Sequence, residues 1–199
     1  MSRRVTRVAW IVVLAAVVVG GIVASASASG QSACLARSPV ASEANVCYPK
    51  TIAGSFSGRD DCFTWAGTVS LKGRREQTAY HYQGRARYGW KFKPAPTPCL
   101  PDTGCTASPD HGTINDPVGL YLDNVRFKGS WGYVGDVDGG GGGSTKDIVI
   151  NCGDPQSPFP QVIDESFAPD GRTKSLRTFA GSKKIGSAYR FKWSLHGTK

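Results

Sequence analysis

Thr78-Ala79-Tyr80-His81-Tyr82-Gln83-Gly84-Arg85-Ala86-Arg87-Tyr88-Gly89-Trp90-Lys91-Phe92-Lys93 alternates along its whole length. Tyr80, Tyr82, Ala86, Tyr88, Trp90 and Phe92 fall on one side, and His81, Gln83, Arg85, Arg87, Lys91 and Lys93 on the other. Successive side chains of a strand point to opposite faces, so this period of two predicts a strand with one dry and one wet side. A strand of this length cannot stay flat, and Gly84 and Gly89 are the expected places for a bend or bulge.

The same rhythm recurs outward from this stretch. Residues 63–72 place Phe63, Trp65, Gly67, Val69 and Leu71 on one face. Residues 125–134 place Val125, Phe127, Gly129, Trp131 and Tyr133 inward and Arg126, Lys128 and Ser130 outward. Residues 187–197 set Tyr189, Phe191, Trp193 and Leu195 against Arg190, Lys192, Ser194 and His196. Shorter strands are expected at 51–56, 118–122, 146–152 and 175–180, and 161–167 is ambiguous. Nothing after the N-terminus carries a capped 3.6-residue period. The expectation is an all-β antiparallel β-sandwich, with a small up-and-down barrel as the alternative. Long loops are expected at 94–117, 135–146 and 153–174.

Composition agrees. Gly 25 and Pro 12 in 199 residues are too many for a helical bundle, and 40% hydrophobic residues are too many for a disordered chain. Residues 1–7 hold Arg3, Arg4 and Arg7, an apolar run follows from Val8 to Val23, and small residues close it at Ala24–Gly30. This is the pattern of a secretory signal peptide, residues 1–28, cleaved near Ala26 or Ala28. The alternative is an uncleaved N-terminal membrane anchor; both put residues 29–199, a single domain, outside the cytoplasm.

All six cysteines, Cys34, Cys47, Cys62, Cys99, Cys105 and Cys152, lie in the exported part. That is the arithmetic of three disulfides, with fifteen possible pairings. Proximity in sequence favours Cys34–Cys47 and Cys99–Cys105, leaving Cys62–Cys152. No cysteine pair has zinc-knuckle spacing.

Two short motifs have ordinary explanations. Leu100-Pro101-Asp102-Thr103-Gly104 resembles the cell-wall sorting signals that sortases cut. Such a signal precedes a C-terminal apolar span, whereas here Cys105 and 94 more residues follow, so the segment reads as a turn. Asp136, Asp138 and Asp147 have part of the spacing of a calcium loop, but Gly140 stands where a ligand is needed and a short Asp closes the set. The expectation is a flexible hairpin loop, with calcium at Asp136, Asp138 and Asp147 the alternative and no other cofactor.

The net charge is +9, and with Arg3, Arg4 and Arg7 set aside it is three less, +6. Arg85, Arg87, Lys91, Arg126, Lys128, Arg190 and Lys192 fall on polar strand faces. If those strands are neighbours, the residues make one positive surface that would attract an anionic polymer or a cell-surface glycan. Nucleic acid fits less well, because the aromatics belong to the opposite face. No nucleophile elbow or zinc-protease motif appears, and no catalytic residues are assigned. The expectation is a secreted, non-enzymatic binding protein without membrane contact once the signal is removed. The alternatives are a small hydrolase using His81 or His196, or a protease-inhibitor-like protein presenting the 99–105 loop.

Overall fold

A computed structural model describes residues 34–76, 79–136, 145–153, 159–162 and 167–199. The strands in chain order are β1 (Ala36–Arg37), β2 (Cys47–Tyr48), β3 (Thr51–Arg59), β4 (Phe63–Arg75), β5 (Ala79–Phe92), β6 (Thr106–Ser108) and β7 (His111–Asp123). Then follow β8 (Trp131–Asp136), β9 (Thr145–Asn151), β10 (Phe159–Val162), β11 (Asp170–Thr173), β12 (Thr178–Ile185) and β13 (Tyr189–Thr198). The expected signal peptide lies outside the described residues, as does the middle of the glycine-rich loop.

Eight strands form one antiparallel sheet in the order β11-β8-β7-β5-β4-β3-β13-β12. Read as a circle, this is the chain order, with β11 and β12 meeting at the seam. The all-β antiparallel expectation holds, and the sheet is nearly closed and barrel-like, closer to the alternative up-and-down packing than to the sandwich put first. Side chains stitch the seam. Thr173 Oγ1 reaches the carbonyls of Ser175 (2.7 Å) and Thr178 (2.8 Å). Across the interior, Trp193 Nε1 donates to the Tyr133 hydroxyl at 3.1 Å, and that hydroxyl donates to the Ala180 carbonyl at 3.4 Å.

The alternation that predicted the strands also fills the barrel. Phe56, Trp65, Val69, Leu71, Tyr82, Tyr88, Trp90, Leu120, Phe179, Phe191 and Leu195 are all buried. Edge-to-face and tilted ring pairs such as Phe56–Tyr88 and Phe63–Phe92 occupy the space a ligand would need. At one end Tyr48 of β2 is wholly buried. At the other, Leu100, Ile148 and Ile150 join the same core, the isoleucines from the short sheet β10-β9-β6.

Several expectations are corrected. Residues 125–134 are not one strand: Lys128 (φ 50°) and Gly129 (φ 77°) form the two-residue turn of a hairpin, and β8 begins only at Trp131. Two consecutive left-handed residues match the twist of paired strands, and Phe127 N–H bonds Ser130 O at 2.9 Å across the turn. Val125 and Phe127 are therefore exposed, not inward. The 94–117 loop contains β6 and the first half of β7, and the 153–174 loop contains β10 and β11. Strand β5 pairs with β4 residue by residue from Tyr80 to Phe92, so neither Gly84 nor Gly89 is a bulge.

The disulfides are Cys34–Cys47, Cys62–Cys99 and Cys105–Cys152, so the pairings Cys99–Cys105 and Cys62–Cys152 are wrong. Strand pairing decides this. Thr106 lies opposite Asn151, so Cys105 and Cys152 are the next facing positions, with Cα atoms 4.1 Å apart. Cys62 lies immediately before β4, where its carbonyl accepts the Lys93 N–H at 2.8 Å, which brings the chain leaving β5 back to it. Three disulfides are typical of proteins that live outside the cytoplasm.

Candidate functional site

The outward positions of β12, β13, β3, β4 and β5 form one continuous wet surface. On β4 they are Thr64, Ala66, Thr68, Ser70, Lys72 and Arg74, and on β3 Thr51, Ala53, Ser55, Ser57 and Arg59. Strand β13 adds Arg190, Lys192, Ser194, His196 and Thr198, and β12 adds Thr178, Ala180, Ser182 and Lys184. Strand β5 contributes Gln83, Arg85, Arg87 and Lys91. The floor is hydroxyl, alanine and glycine, and the long side chains are Lys and Arg. No outward position of these five strands carries Asp or Glu.

Five of the seven predicted residues share this face: Arg85, Arg87 and Lys91 on β5, and Arg190 and Lys192 on β13. The two groups stand three strands apart, roughly 14 Å at the usual strand spacing. Arg85 is held by Asn115, whose side-chain oxygen accepts from Nε at 2.9 Å. The partner is neutral, so the positive charge is undiminished.

Arg126 and Lys128 do not join them. They belong to the β7–β8 turn, at the opposite end of the barrel from Lys91 and Arg190. Arg126 lies over the Trp131 ring at 4.1 Å and faces Glu43 at 3.5 Å, and Lys128 lies over Phe127 at 5.5 Å. Sequence reading missed Arg59 and Lys184. Continuing the period of two past 51–56 and 175–180 reaches both residues.

At the end of the face, Arg59 stands directly opposite Arg190, and Arg190 opposite Lys184. A depression of about 440 Å³ lies beside them, lined by Ser57, Gly58, Arg59, Thr64, Arg190 and Lys192. Arg190 Nη1 is held by the carbonyls of Gly186 (3.3 Å) and Tyr189 (3.2 Å), at the turn where Gly186 takes a φ of 58°.

The other candidate groups are dispersed. His81 on β5 and His196 on β13 are three strands apart, so they are not neighbours. His81 is buried, stacked on Tyr121 at 4.2 Å with Glu76 3.1 Å from Nδ1. His111 and Asp110 make an exposed pair at 2.6 Å, and the hydrogen bond to His111 is the main reason the Asp110 carboxyl stays below its usual range. Among the described residues no three His, Cys, Asp or Glu side chains gather to hold a metal. The calcium alternative at Asp136, Asp138 and Asp147 lies outside the described side chains. The 99–105 segment is not a closed ring: each end is tied elsewhere, Leu100 is buried and Pro101–Gly104 are exposed.

Fold and surface together define a filled antiparallel barrel with a cationic outer wall. The chain matches no known protein family, no curated protein and no solved structure.

Proposed function

We propose that the protein is secreted and binds an anionic polymer, such as an acidic glycan, at the cell exterior through the outer face of β12, β13, β3, β4 and β5. One observation carries the reading: adjoining strands present Lys184, Arg190, Lys192, Arg59, Arg85, Arg87 and Lys91 with no carboxylate among their outward positions. A surface of one sign concentrates oppositely charged ligands. The packed interior leaves binding to the exterior. Buried aromatics disfavour a single-stranded nucleic acid, which needs exposed rings on which bases stack.

The reading is tested on a heparin column, with heparin as the polyanion probe. The wild-type protein is retained at moderate salt and elutes in a salt gradient, because charge pairing between exposed groups is screened over about 8 Å at physiological ionic strength. Changing Arg85, Arg87, Arg190 and Lys192 together to Gln shifts elution to markedly lower salt. A wild-type protein that passes straight through at moderate salt removes the reading.

A further inference from the structure

We propose that Arg59, Arg190 and Lys192, with Lys184 flanking them on the next strand, form a preorganised pocket for a tetrahedral oxyanion, a phosphate or sulfate ester carried on the polymer, and that this pocket anchors the ligand. The inference rests on the polyanion reading above and assigns its charged group and its primary contact.

The register puts Lys184, Arg190 and Arg59 in file across three neighbouring strands. Strands lie about 4.8 Å apart, and like charges directly opposite one another destabilise a sheet. Lys192, the next outward position on β13, adds a fourth positive charge. The carboxylates nearest in sequence are in the β3–β4 turn. Asp60 is committed there, its Oδ1 accepting the N–H groups of Cys62 (2.7 Å) and Phe63 (2.6 Å), and Asp61 follows beyond the end of β3. An anion seated among the four cations therefore removes a repulsion that no outward carboxylate of these strands offsets.

The shape and chemistry select the anion. A carboxylate has two oxygens in a plane, and one guanidinium fork satisfies it. Here the guanidinium groups of Arg59 and Arg190, the ammonium of Lys192, and Ser57 and Thr64 line the depression, with Lys184 beside Arg190 in register, a donor set suited to an ion with three or four oxygens. The carbonyls of Gly186 and Tyr189 hold Arg190 at the pocket before any ligand arrives, so little side-chain freedom is lost on binding. At about 440 Å³ the depression is in the size range of small-molecule sites, with space for the ester and part of the chain bearing it. From there the uncharged floor of Ser55, Ala66 and Thr68 leads to Arg87, where a second anionic group of the same polymer adds avidity.

Two double variants of the full chain with equal charge loss provide the test: Arg59→Gln/Arg190→Gln in the pocket, and Arg85→Gln/Arg87→Gln outside it. Inorganic phosphate, sulfate and acetate are titrated at constant ionic strength and followed by nuclear magnetic resonance. Phosphate or sulfate should move the Arg59 and Arg190 side-chain signals and bind at least about tenfold more weakly to the pocket variant, which loses two charge-assisted contacts each able to account for about a factor of ten. Acetate should not show this preference, and the tighter of the other two ions identifies the ester. On heparin the pocket variant should elute earlier than the Arg85/Arg87 variant. Its melting temperature in anion-free buffer should equal or exceed that of the wild type, since a like-charge pair has been removed, which separates lost binding from lost folding. Equal elution of the two variants, or acetate binding as well as phosphate and sulfate, overturns the pocket while leaving the polyanion reading in place. A wild-type protein not retained on heparin overturns both.

Discussion

At Gly84 the neighbouring strand leaves no room for a side chain. A Cβ there would lie 2.0 Å from the backbone oxygen of Ser70, whereas a Cβ at Gly89 would meet nothing nearer than 3.8 Å. Both glycines are in β5, but Gly84 points into the barrel and Gly89 out of it. Gly67 on β4 is pressed in the same way against the Arg87 carbonyl, at 2.2 Å, so inward glycines let the sheet coil tightly enough to approach closure. Gly84→Ala should therefore cost about 1–3 kcal/mol, as overpacking does. Gly89→Ala should stay within about 0.5 kcal/mol of wild type, as exposed substitutions do. Urea denaturation of the two variants decides it, and equal midpoints would refute the argument. The sequence alone marks both glycines as special, because it shows a missing side chain but not the backbone that crosses the gap.

Strand β2 is short, yet it closes one end of the barrel through Tyr48. Its hydroxyl donates to the Asn124 carbonyl at 2.7 Å and accepts from Trp131 Nε1 at 3.0 Å, and its ring lies 4.1 Å from that of Tyr80. Burial raises its pKa from 10.0 to about 12, and burial likewise raises Tyr80 and Tyr82. In the unfolded chain these tyrosines lose their protons near pH 10. Above that pH the unfolded chain holds fewer protons than the native one, so stability falls as pH rises. The contribution is complete below about pH 10 and declines above it by up to about 1.4 kcal/mol per pH unit for one such group. The urea midpoint should be little affected by tyrosine from pH 8 to 10 and drop between 10 and 11.5; a midpoint that holds to pH 11.5 contradicts the account. Elements of this kind were only partly legible. The alternation at 78–93 and 187–197 announces its strands because each has one dry face. The hairpin at 125–134 imitates that alternation, and only the left-handed Lys128-Gly129 pair shows that the chain turns. The cationic face is half visible: a period of two places Arg190 and Lys192 on a wet face and, carried further, Arg59 and Lys184 as well, but that these stand beside Arg190 follows from strand order, which the period does not encode.

Across the whole molecule, three disulfides fasten the ends of the barrel to its connections. Their sequence separations are 13, 37 and 47 residues. Loop-closure entropy gives about 3 kcal/mol for the shortest and about 4 kcal/mol for each of the others. Two of them, Cys62–Cys99 and Cys105–Cys152, tie down the connection between β5 and β7, and the second also ties in β9 of the three-stranded sheet. Nearness in sequence picked Cys99–Cys105 because six residues look easy to close. The ladder between β6 and β9 overrides that, since its register sets Cys105 beside Cys152. Non-reducing peptide mapping of the purified protein should recover Cys62 linked to Cys99 and Cys105 linked to Cys152, with no titratable thiol. Changing Cys105 and Cys152 together to Ser should lower stability by up to about 4 kcal/mol and open the β6–β9 region first to proteolysis, because loss of this cross-link leaves only short strand pairing to hold it. A Cys99–Cys105 peptide in the map would overturn the β6–β9 register, and with it the placement of this sheet against the barrel core.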